Sequence, residues 1–72
     1  MTILVTGVTG KTGRRVVESL VTRGVGVRGL VRDLERGKMA TLGMAVELVL
    51  GDFDDPATVA EAATGCDGMY LV

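Results

Sequence analysis

Ile3-Leu4-Val5-Thr6-Gly7-Val8-Thr9-Gly10-Lys11-Thr12-Gly13 is a short apolar run that breaks into three glycines at three-residue spacing. Ile3, Leu4 and Val5 show no polar alternation, as a strand buried on both faces of a parallel sheet requires, so a first strand is expected over residues 2–6. Beyond the glycines, Val16, Val17, Leu20 and Val21 recur at helical spacing. Arg14, Arg15, Glu18, Thr22 and Arg23 take the opposite face and Gly24 supplies a stop, which predicts a helix from about 12 to 23. A strand that turns straight into a helix aims backbone N–H groups and the positive end of the helix dipole at one point, a setting for an anion such as a pyrophosphate.

Each glycine has a distinct expected use. Gly7 permits the sharp turn, Gly10 admits the ligand's close approach and a positive φ, and Gly13 lets the helix pack closely on the strand. Thr9, Lys11 and Thr12 add hydroxyl, ammonium and amide donors. Gly10-Lys11-Thr12 also ends like a P-loop, but that motif needs its first glycine at position 5, which is Val5.

Working outward, the β-branched stretch over residues 26–31 reads as a second strand and Val46 to Leu50 as a third. Between them a helix over residues 34–42 is expected only weakly, because its apolar stripe is poor and Gly37 costs about 1 kcal/mol relative to alanine. Asp55 before Pro56, with Gly65 beyond, marks a third helix over residues 56–64. Met69, Tyr70, Leu71 and Val72 begin a fourth strand. Alternating strands and helices with short connections predict an α/β fold, a Rossmann-type parallel sheet of order 3-2-1-4 with three helices, two on one face and one on the other.

That sheet would leave the fourth strand with a bare apolar edge. Residues 1–72 are therefore read as the amino-terminal part of a single dinucleotide-binding domain, truncated after the fourth strand and prone to self-association through the exposed edge. Stability alone should be marginal, since a chain of this size buries only roughly 60% of its unfolded surface.

The end of the second strand selects the cofactor. About twenty residues beyond Gly13, a site for NAD carries an acid that accepts from the ribose 2′-hydroxyl; here stands Arg32, whose planar fork suits a 2′-phosphate and favours NADP(H) over NAD(H). Asp33, one position on, would supply the acid if the register moved by one. Asp52 and Phe53, at the end of the third strand, fall where an adenine should lie.

The glycine string, the Leu30-Val-Arg-Asp33 exit, Gly51-Asp-Phe-Asp-Asp55 and Gly65-Cys-Asp-Gly-Met-Tyr-Leu-Val72 together resemble the start of an atypical short-chain dehydrogenase/reductase of the NmrA-like, NAD(P)H-binding group. The resemblance runs over essentially the whole chain. It implies NADP(H) bound through Gly7 to Gly13, Arg32, Asp52 and Phe53, in an oxidoreductase or, alternatively, a non-catalytic NADP(H)-sensing regulatory protein. The Tyr-x-x-x-Lys pair of such enzymes has no counterpart here, because Tyr70 is the lone tyrosine and Lys11 and Lys38 the two lysines. No catalytic residue is assigned.

Composition narrows the classes further. Eight basic and nine acidic residues with a net charge of −1 offer no polyanion-binding surface, so no nucleic-acid partner is expected. One cysteine and no histidine leave neither a disulfide framework nor a zinc set, and the cytoplasm is the expected compartment. No segment approaches the roughly 20 apolar residues of a membrane span. Met39, Met44 and Met69 read as core or half-buried filler. Cys66 reads as a small residue near a helix-to-strand turn.

Overall fold

In the computed structural model, which describes residues 1–71, elements alternate as β1 (Thr2–Thr6), α1 (Lys11–Thr22), β2 (Gly26–Val31), α2 (Leu34–Ala40), β3 (Val46–Leu50), α3 (Pro56–Ala63) and β4 (Gly68–Tyr70). The strands form one parallel sheet of order β3-β2-β1-β4, the order expected from the sequence. Val5 stands beside Gly29 on one flank and Tyr70 on the other, and Gly29 beside Leu48. Val72, the last residue of the expected fourth strand, lies outside the described residues.

Side chains alternate through the sheet, and this divides the core in two. Val5, Val27 and Val31 face one side, where Val8 and Val17 join them and Val16, Leu20 and Val21 of α1 pack on top. Leu4 and Leu30 face the other side, against Ala62, with Val59, Ala63 and Cys66 around them. The unbroken apolar run of β1 follows from this arrangement, since both of its faces are covered.

The helix ends follow local chemistry. Asp55 accepts from the Ala57 N–H at 3.2 Å, ahead of Pro56 in the first turn. Asp33 accepts from Glu35 and Arg36 N–H groups at 2.9 and 3.3 Å and so starts α2. This short helix buries Gly37, where a Cβ would meet Val31 Cγ1 at 2.9 Å and Leu48 Cδ1 at 3.2 Å. The glycine that weakens α2 as an isolated helix is what lets it lie close on the sheet. Met39 departs from its expected role as core filler: it is 75% exposed, on the face of α2 turned from the sheet. Met69 is also exposed, beside Tyr70 and Leu71, whereas Met44 packs against the core. Among the described residues no helix is long and apolar enough to cross a membrane.

Arg28 ties the α3 face together. Its Nη1 donates to the carbonyls of Ala62 and Thr64 at 2.8 and 2.6 Å, and its Nε donates to Glu47 on the neighbouring strand. A cation is thus placed on the negative end of α3. The hydrogen bond to Glu47 holds the guanidinium pKa above its ordinary value. Arg28→Ala is expected to lower the melting temperature, and Arg28→Lys to recover only part of the loss, because an ammonium cannot serve three fixed acceptors with a planar fork. Thermal melts followed by circular dichroism provide the check, and an unchanged transition in Arg28→Ala would show the clamp to be idle.

Candidate functional site

At the carboxyl end of β1 the chain turns through Gly7 at φ 68°, a left-handed conformation that favours glycine. Val8 then drops into the core with no exposed surface. Its methyl groups lie where a Cβ on Gly29 would approach them to 3.1 Å. Thr9 returns to the surface, and Gly10 becomes the N-cap of α1, its N–H donating to the Gly7 carbonyl at 3.0 Å. Gly10 has φ −87° and ψ 166°, so within this loop the left-handed conformation expected at Gly10 is found at Gly7 instead. At Gly13 a Cβ would collide with the Gly7 carbonyl oxygen and lie 2.6 Å from its carbon, which is the close approach foreseen for that glycine.

The start of α1 differs from the other two helices. Asp33 and Asp55 cap α2 and α3, whereas no side chain caps α1 at Gly10. The first-turn N–H groups of an α-helix have no intrahelical partner. Here they and the helix dipole meet the loop that follows β1.

Beside this loop, at the carboxyl ends of β1, β2 and β3, lies a cleft of about 460 Å³. Thr6, Gly7 and Thr9 line it from the first strand and loop; Leu30 and Val31 from the second strand and Arg32 and Asp33 from the turn after it; Arg36 from α2; Gly51 and Phe53 from beyond the third strand. Of the residues singled out in the sequence, Gly7, Thr9, Arg32 and Phe53 therefore share one cavity. Gly10, Lys11, Thr12 and Gly13 form the adjoining helix start and do not line it.

Asp52 stands behind the rim. Its Oδ1 accepts from the Asp54 N–H at 2.9 Å and lies 3.7 Å from Arg32 Nε. The Asp52 backbone is fixed by the Thr58 hydroxyl, which donates to its carbonyl at 2.9 Å. Arg32 is thus a largely exposed cation at the cleft mouth with a carboxylate behind it. Phe53, 52% exposed, offers an aromatic face on the same cleft.

Arg36 was not singled out in the sequence. The signal that locates it is Asp33 read as an N-cap: a helix beginning at Leu34 brings Arg36 into its first turn, beside the strand end that carries Arg32. The cleft therefore combines two guanidinium groups, an apolar and aromatic wall, and a neighbouring uncapped helix start. These elements suit a ligand with a flat ring at one end and phosphate groups along its length.

Residues 7–72 match a family model described as NAD(P)H-binding. The (4-alkanoyl-5-oxo-2,5-dihydrofuran-3-yl)methyl phosphate reductase of Streptomyces griseus is 43% identical over 70 residues, covering 97% of this chain and 24% of that protein. Photosystem II assembly factor Ycf39 of Cyanophora paradoxa is 38% identical over 65 residues, covering 90% of this chain and 20% of that protein. A short-chain dehydrogenase/reductase superfamily protein of Agrobacterium tumefaciens, solved with bound NAD, superposes with a TM-score of 0.75 at 33% identity. That match covers 100% of this chain and 20% of the solved one. The chain spans about a quarter or less of the length of the curated relatives it matches.

Proposed function

The chain belongs to the NAD(P)H-binding family, and on that premise we propose that it binds NADP(H) in preference to NAD(H) and serves an NmrA-like oxidoreductase. The observation that carries the preference is the end of β2. Arg32 and Arg36 both line the cleft there, and Asp33, which lines it too, has its Oδ1 engaged in capping α2. An acid at a strand end recognises the 2′-hydroxyl of NAD by accepting its proton. One oxygen of that acid, Asp33 Oδ1, already accepts two backbone N–H groups, and the two arginines offer a 2′-phosphate the opposite charge.

The residues present fit such a ligand. The start of α1 has no side-chain cap and a glycine at its N-cap, so a pyrophosphate has backbone donors to approach. Gly7 and Thr9 would border the phosphates, Phe53 the adenine, and Arg32 with Arg36 the 2′-phosphate. When bound, a nicotinamide dinucleotide supplies the hydride, and the protein binds and orients it.

Arg32→Ala tests the preference. Because the Arg32 side chain is 72% exposed, water and salt screen its contact, and the loss falls at the low end of a charge-assisted hydrogen bond. NADPH is expected to weaken on the order of tenfold and NADH by less than about twofold. Since Asp33 Oδ1 stays on the start of α2, the preference should diminish. Dissociation constants for both cofactors at one ionic strength decide the matter, and an unchanged ratio would return Arg32 to the status of a solvated strand-end residue.

A further inference from the structure

A second cleft, of about 560 Å³, is lined by Thr9, Arg14, Glu35, Arg36, Met39 and Ala40. Thr9 and Arg36 line both cavities, so these two residues form the ridge where they meet. The second cleft runs between the start of α1, which contributes Arg14, and α2, which contributes the rest of its charged lining. Among the described residues Arg14 and Arg36 have no ion-pair partner, in contrast to Arg28 and Arg32, which face Glu47 and Asp52. Two guanidinium groups against the single carboxylate of Glu35 leave the cleft with an excess of one positive charge.

We propose that Arg14 is a specificity-determining residue: the 2′-phosphate sits on the Thr9–Arg36 ridge, approached by Arg32 from the first cleft and by Arg14 from the second. This rests on the reading of the first cleft as the site of the adenosine half of NADP(H). The physical basis is that a dianion on the ridge gains from cations on both sides, and a neutral hydroxyl gains from neither. Arg14 is exposed on a helix already ordered by its buried face, so its charge is brought to the ridge at little cost to the fold. Glu35 opposes the same ligand from the same cleft, which gives the proposal a second consequence of opposite sign.

The test uses the full chain, with NADPH, NADH and 2′,5′-ADP titrated at low and moderate salt. Arg14→Gln is expected to weaken NADPH and 2′,5′-ADP about five- to tenfold while NADH changes less than about twofold. The salt dependence of NADPH binding should become shallower. Glu35→Gln is expected to tighten NADPH and 2′,5′-ADP about two- to threefold and leave NADH unaffected. Circular dichroism confirms that each variant is folded. If Arg14→Gln leaves the NADPH-to-NADH ratio unchanged while Arg32→Ala lowers it, the proposal is overturned and the reading of the first cleft stands. If neither substitution moves the ratio, the reading of the first cleft falls with it. Equal weakening of both dinucleotides by Arg14→Gln also overturns the proposal, because it places Arg14 on a group that the two share.

Discussion

Gly10→Val is expected to raise the dissociation constant for NADPH by at least about 100-fold while the protein stays folded, a loss equivalent to one or two charge-assisted backbone hydrogen bonds. The backbone at Gly10 is extended, a conformation that valine adopts readily. A Cβ there would meet the Gly7 carbonyl oxygen at 3.5 Å, an ordinary contact. Folding therefore has little reason to object. The ligand does, because the added methyl groups would stand over the N–H groups at the start of α1. Calorimetric titration beside a circular-dichroism spectrum separates the two effects, and undiminished affinity in a folded variant would remove the glycine loop from the site.

Gly13→Ala is expected to do the reverse, damaging the fold before any ligand is present. The new methyl would collide with the Gly7 carbonyl oxygen, with Gly7 C at 2.6 Å and Val8 Cα at 3.2 Å behind it. All three are backbone atoms, so no rotamer change relieves the overlap. Either α1 moves off the sheet or the loop shifts and draws Val8 from the core. Overpacking of this kind costs on the order of 3 kcal/mol, which for a domain of this size lowers the melting temperature by more than about 10 °C. A melting temperature within about 2 °C of the wild type would show that helix and loop have more room than the structure gives them. Together the two variants assign the outer glycine to packing and the middle one to the ligand.

What could be read from the sequence depended on whether the signal was local. The strands were legible because burial on both faces leaves runs such as Ile3-Leu4-Val5, and α3 because Asp55, Pro56 and Gly65 punctuate it. The helix α2 was legible only faintly, because it presents hardly any apolar face to the sheet. Gly37 and the neighbouring Thr41 are its buried contacts, and Leu34, Met39 and Leu42 are exposed. No periodicity of apolar residues can report a helix packed through a glycine. The same faintness hid Arg36, whose place in the cleft depends on where α2 begins. Arg14 was assigned to the solvent face of α1, correctly as to exposure, but a second cleft between two helices is a tertiary feature that no helical pattern contains. No local pattern marks Val8 as a core residue. Its complete burial depends on the space left by Gly29, twenty-one positions away on another strand.

Val8 makes the loop part of the interior. With a fully buried anchor in its middle, the turn holds its shape in the empty protein, so a ligand arriving there need not meet the entropic cost of ordering it. The same anchor removes the independence of the two functions. A change of volume at Gly29 or Val17 alters the seat of Val8, and through it the aim of the backbone at Gly7 and Thr9, although neither residue lines the cleft. Variation in this stretch of the core is consequently filtered twice, once by folding and once by the cofactor.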